Sequence, residues 1–338
     1  MSGHPGNNFD AVRLIAALTV VASHHCVVAG IPEPSVFGPI SLGAAAVLVF
    51  FAVSGYLVAS SWLADPVVWR FVARRFLRIW PAYVAVVVAI CVAFAIADPR
   101  PLAPTAAEMY AWKHLTLQRF DWAFFPALAD PRMNAPLWTI EFEIRCYVLF
   151  VLLAALLRRW WRHVLLAVGL PAFAWWVLGM PLFNPSLAGE PAISLYFVAF
   201  FAAGVALSAW PVLRTARVVA ALVACGLVAY VAGSPLLGLV LAIPAIVVFV
   251  GTRSWPVLRR AGRFGDLSYG IYLWGWPVQQ VVATCLGPHA GYAAMLATSL
   301  VIVLPLAALS WHLVEKRALR LKPSSNTPWP RVLTLTRA

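Results

Sequence analysis

The stretch FDAVRLIAALTVVASHHCVVAG, residues 9–30, decides how the rest of the chain is read. It is long and apolar enough to cross a bilayer, yet it carries Asp10 and Arg13 near its start and His24 and His25 near its end. As a helix, the eleven residues from Arg13 to His24 make about three turns. That sets the two side chains about 20° apart around the axis and about 16 Å apart along it. Asp10 falls within about 40° of the same face, whereas His25 is turned about 100° from His24 and reads as a packed or interfacial histidine. Ionisable groups are costly inside a bilayer, so this pair points to function rather than packing. Chemistry that starts at one membrane face and ends deep in the bilayer would need this arrangement.

The rest of the sequence extends the same solution. Of 338 residues, 63% are hydrophobic and 11% charged, a balance expected of an all-α, polytopic membrane bundle and not of a soluble domain this large. Ten apolar stretches are long enough to cross, at 11–30, 40–62, 79–97, 136–157, 163–180, 192–210, 217–233, 236–252, 267–286 and 291–314. The first is expected to be a retained span, because it lacks the flanks of a cleaved signal peptide. With the N-terminus inside, 20 of the 25 Lys and Arg residues fall on inner segments, four (Arg100, Lys113, Arg119 and Arg132) on outer ones, and Arg145 within a span. This asymmetry predicts that both termini are cytoplasmic, and it accounts for the net charge of +13 without nucleic acid. Residues 1–322 read as one membrane-embedded domain and 323–338 as a flexible cytoplasmic tail, while the outer segment 98–135 is amphipathic in places and suits the interface. The five cysteines have no metal spacing and read as buried thiols. No metal is expected, and neither a Gly-rich nucleotide loop nor a Ser nucleophile elbow is present.

Three further constellations carry candidate chemistry. Before the third span, Arg74, Arg75 and Arg78 form a helical cluster, with Arg74 and Arg78 on one face. Composition alone favours the positive-inside rule with anionic lipid contact, and the functional alternative is a phosphate site, since Arg forks suit phosphate oxygens. In LWTIEFEIRCYVLF, Glu141 and Glu143 lie about 200° apart on the helix, so one is expected to face the bundle centre and the other to pair with Arg145, reach outward or be protonated. Counting inward from the outer face puts Glu143 at the depth of His24, as a working pair. Ser54-Gly55 permits close helix approach, and Asp266 opens a polar, aromatic stripe through Tyr272 and Trp276 as a candidate helix N-cap.

Taken in order, these segments resemble the acyltransferase-3 family of integral-membrane acyltransferases. The carriers are the Asp10, Arg13, His24 pattern of the first span, FFAVSGYL at 50–57, RRFLRIWPAY at 74–83, and NAPLWTIEFEIRCYVL at 134–149 with Trp138, Glu143 and Tyr147 in register. SYGIYLWGWPVQQ and the closing LVEKRALRLK, with Glu315, complete a resemblance over residues 9–322. Gly275 stands where some members carry His in a late L-W-H-W-P motif, and the chain looks like the stand-alone form, without the hydrolase-like domain of some members.

The resemblance implies transfer of an acetyl or similar short acyl group from acyl-CoA to a hydroxyl of a glycan or lipid-linked sugar, in a bacterial inner membrane. On that reading His24 is the general base, Glu143 orients it, and Arg13 supports the donor channel. Arg74, Arg75 and Arg78 hold the donor phosphates, and Asp10, Trp138, Tyr147 and Tyr272 contact substrate. The partners implied are acyl-CoA, the glycan acceptor and the bilayer. A glycan-lipid transporter or flippase using the same buried charges as a gate is the competing reading.

Overall fold

The computed structural model describes residues 7–38, 40–97, 104–116, 134–165, 167 and 190–324. The described residues form a helical bundle: α1 (Phe9–Val28), α2 (Leu42–Ala64), α3 (Val68–Ala97), α4 (Pro104–Leu115), α5 (Trp138–Leu157), α6 (Glu190–Ala209), α7 (Ala216–Val231), α8 (Pro235–Thr252), α9 (Ser268–Leu286) and α10 (Tyr292–Ser310). The last continues through a π-helical turn, Trp311–Glu315, to Leu319. Among the described residues five helices are long and apolar enough to cross a membrane: Phe9–Val28, Leu42–Ala64, Val68–Ala93, Pro235–Thr252 and Tyr292–Leu319. Most of the expected span 163–180, most of the outer segment 98–135 and the tail beyond Ser324 lie outside the described residues.

The all-α expectation holds among the described residues: apart from a short antiparallel ladder, Ser35–Phe37 with Ile40–Ser41, that joins α1 to α2, the elements are helical. The arginine cluster occupies the first turns of α3, because nothing between Val68 and Trp80 interrupts a helix.

Small residues set the helix spacing. A Cβ on Gly55 would overlap the carbonyl oxygen of Phe201 on α6, and one on Gly204 would overlap that of Ala52 on α2. The two backbones therefore cross at a distance only glycine allows. Above this crossing Phe51 stacks on Phe197 with ring centroids 4.4 Å apart. In α9, Pro277 has no N–H to give the carbonyl of Leu273 one turn earlier. The side-chain amide of Asn134 donates to that carbonyl at 3.0 Å. The break in α9 is thus repaired by the segment that leads into α5, and the start of α5 is pinned inside the bundle.

The two ends of the described chain gather at one end of the bundle. Asn8 N–H donates to the carbonyl of Gly251 at the end of α8. At the other terminus, Arg74 on α3 donates to the carbonyl of Pro323.

Candidate functional site

At the Arg13 end, charges from four remote segments converge. Asp266, in the turn before α9, uses its Oδ2 to accept from both Arg13 of α1 and Arg78 of α3. Its Oδ1 accepts from the Ser268 hydroxyl at 2.5 Å. The side chains are well buried, with 17% of Arg13, 15% of Arg78 and 13% of Asp266 exposed. Burial alone would raise the Asp266 carboxyl, but the guanidinium groups of Arg13 and Arg78 outweigh it and hold the group well below the usual carboxylate range. Glu315, 2% exposed, lies 4.0 Å from Arg78 and accepts from Ser310 at 3.0 Å. Asp266 was expected to cap α9; the helix instead begins at Ser268 without a side-chain cap, and the carboxylate is taken up by the two arginines.

Beside this cluster, Oε1 of Glu143 accepts from Ser54 and from Tyr147, each at 2.5 Å. Arg75 lies over the rings of Phe71 and Tyr147, 5.8 and 6.0 Å from their centroids, and its buried Nε has no hydrogen-bond partner. Between the helices is a pocket of about 50 Å³ whose polar lining is Arg13, Ser54, Glu143, Thr139, Ser268 and the two tyrosines Tyr269 and Tyr272. Tyr272 holds its wall in place, its hydroxyl 2.5 Å from that of Thr139 and donating to the carbonyl of Pro136 at 3.0 Å.

The depth of the pocket follows from the antiparallel pairing of α1 and α2. The hydroxyl of Ser23 accepts from the N–H of Gly43 at 2.8 Å, which levels the two helices there. Ser54 is eleven residues further along α2, about 16 Å towards the Arg13 end at 1.5 Å per residue. Ser54 and the Glu143 bonded to it therefore share the depth of Arg13, not of His24. Val47, at the other limit of the pocket, is only about 6 Å below the Ser23 level. The lining thus runs from the level of Arg13 to about 6 Å short of the Ser23 level, a short shaft that His24 does not line.

The expected pairing of Glu143 with His24 is not formed. Residue counting started α5 at the outer surface, whereas Asn134 and Pro136 are tied to the middle of α9, which carries Glu143 deeper. His24 instead meets Trp276 edge-on, with centroids 5.5 Å apart. His25 is completely buried against Tyr292, with no hydrogen-bond partner on either ring nitrogen. The expected pairing of the other acid is found, since Arg145 bridges to Glu141 one turn away.

The arginine cluster of α3 is divided. Arg70 and Arg74 close on Asp65, whose carboxyl is held below its ordinary range by the hydrogen bond from Arg70, against burial and with help from Arg74. Arg78 belongs to Asp266. Of the three arginines expected to hold phosphates, Arg75 is the one with no carboxylate in ion-pair contact among the described residues. Of the expected substrate contacts, Tyr272 lines the pocket and Tyr147 holds Glu143 behind it. Asp10 packs its carboxylate against Gly262, and Trp138 stands in an aromatic cluster with Phe142 and Phe197. Asp65, Asn134, Asp266 and Glu315 are structural partners that no sequence spacing could have assigned.

The model of an acyltransferase domain family, acyltransferase 3, matches residues 7–312. The chain belongs to that family. An "O-acetyl transferase" of Shigella phage Sf6 is 31% identical over 94% of this chain and 97% of its own length. "Nodulation protein 10" of Rhizobium leguminosarum bv. viciae is 28% identical over 96% of this chain and 95% of its own. No solved structure matches. The protein is therefore an acyltransferase, and its apolar helices and family together fit a multi-pass membrane protein.

Proposed function

We propose that this acyltransferase moves an acetyl or similar short acyl group from acyl-CoA to a hydroxyl of a cell-surface or lipid-linked glycan, in a bacterial inner membrane with the Arg13 end facing the cytoplasm. The observation that carries this reading is the short polar shaft at the Arg13 end of α1, the helix that carries His24 about 16 Å further on. An extended thioester arm on the order of 15–20 Å spans the rise of about 16 Å between those two residues. His24 acts as general base, a role suited to its near-neutral intrinsic pKa. It takes the proton of the acceptor hydroxyl as that oxygen bonds to the thioester carbonyl carbon. The C–S bond then breaks, and the proton passes from the imidazolium to the departing thiolate. Arg75 meets the donor's negative charge. Glu143 acts at the Arg13 end, where it lines the shaft with Ser54, is held by Tyr147 and balances Arg75.

The test uses purified protein in sealed, oriented vesicles, with labelled acetyl-CoA on one side and a glycan acceptor on the other. His24→Ala is expected to abolish acyl transfer while the protein still inserts, and His25→Ala to retain substantial activity. Donor consumption that requires acceptor marks transfer, whereas acceptor movement without donor consumption would mark a transporter. Product formed only when both substrates share the cytoplasmic side would overturn transfer across the bilayer.

A further inference from the structure

The donor reading leaves Arg75 as the one arginine of α1 and α3 placed to meet the donor's phosphates, because Arg70 and Arg74 are committed to Asp65, and Arg13 and Arg78 to Asp266. The inner turn between α8 and α9 supplies two more. Its 3₁₀ segment, Leu258–Phe264, carries Arg260 and Arg263 three residues apart, and a 3₁₀ helix eclipses side chains at that spacing. Both are exposed, and neither pairs with a carboxylate among the described residues. The turn is also fixed against the Arg13 end of α1. Gly262 packs on the carboxylate of Asp10, and Gly265, at φ +107°, is seated against Trp311. The next residue is Asp266, which holds Arg13 on the shaft wall.

We propose that Arg260 and Arg263 form the phosphate-binding site of the acyl donor, receiving the phosphate groups of CoA beside the Arg13 end of α1. Two guanidinium forks three residues apart suit phosphate oxygens in charge, and neither has a carboxylate partner among the described residues, Arg263 resting over the ring of Phe264. The inference rests on the acyl-CoA reading. It adds that the phosphates dock on this turn rather than on Arg74 and Arg78, while Arg75 acts deeper.

The experiment measures CoA binding to the full chain in nanodiscs of neutral phosphatidylcholine, with 3′,5′-ADP as a second probe that lacks the thioester arm. The double variant Arg260→Gln/Arg263→Gln should weaken both probes at least about tenfold, the order expected for losing charge-assisted hydrogen bonds. The double Lys variant should recover only part of that loss. Arg217→Gln, another exposed arginine, and Arg74→Gln should change affinity less than threefold. Unchanged CoA affinity in the double Gln variant overturns the site while leaving the donor reading intact. Wild-type protein that binds no CoA removes the donor reading and the site together. If CoA affinity is unchanged and the double variant loses only its response to added phosphatidylglycerol, the turn binds lipid phosphate and the proposal fails.

Discussion

Replacing Asp266 by Ala should destabilise the bundle more than any other single change at the Arg13 end. The carboxylate compensates two guanidinium groups that are 17% and 15% exposed. Stripping the partner from a buried charge costs about 3–5 kcal/mol. Arg78 retains Glu315 at 4.0 Å, so the lower part of that range, about 3 kcal/mol, is expected. Replacing both sides of the pair, Arg13→Met with Asp266→Leu, removes the stranded charge with its partner. That double variant should regain at least about half of the loss, an interaction energy well above the ~0.5 kcal/mol seen for independent sites. Unfolding in detergent can be followed through labelling of Cys26 and Cys146, both buried thiols. The sign of the pH dependence is fixed by the lowered carboxyl of Asp266: its contribution is fully present above the ordinary carboxylate value of about 3.9 and lost as pH falls below it. The loss of stability on acidification below about pH 3.9 should therefore be shallower in Asp266→Ala than in wild type. A cost under about 1 kcal/mol, or a double variant as unstable as the sum of its parts, would refute the argument that this carboxylate holds the cluster together.

Gly204→Ala should lower stability by roughly 1–3 kcal/mol despite alanine's better helix propensity, because its Cβ meets the α2 backbone at Ala52; a melting temperature equal to wild type would show that α2 and α6 can part freely. Glu143→Gln should reduce turnover more than donor affinity, since the carboxylate fixes Ser54 and Tyr147 rather than a phosphate; steady-state kinetics with acyl-CoA varied would contradict this if only KM moved. His114, outside the spans, is pushed down to about 4 by burial, and its Nδ1 lies 2.9 Å from the Tyr83 hydroxyl. A lowered histidine stabilises above its unfolded value of about 6.5 and loses that contribution as pH falls towards its folded one, so stability should drop by up to about 1.4 kcal/mol per pH unit between pH 6.5 and 4. His114→Gln should flatten that slope in unfolding measured across the range, and an unchanged slope would assign the acid sensitivity elsewhere.

What the sequence determines by itself is what helical period and composition determine. The apolar stretches predict helices, and among the described residues nine of the ten are helical. The Glu141–Arg145 contact follows from their four-residue spacing, and the shared face of Arg13 and His24 from their eleven. Each depends only on the geometry of one helix. The structure alone decides which charge answers which. Arg74 and Arg78 share a face of α3 by period, yet one closes on Asp65, nine residues away, and the other on Asp266, 188 residues away. Depth is likewise a tertiary property. Glu143 lies at the level of Arg13 because Pro277 leaves the Leu273 carbonyl without a helical donor and Asn134 supplies one, drawing the start of α5 into the bundle. A buried polar group must be satisfied by whichever segment reaches it, and no local spacing encodes which segment that is.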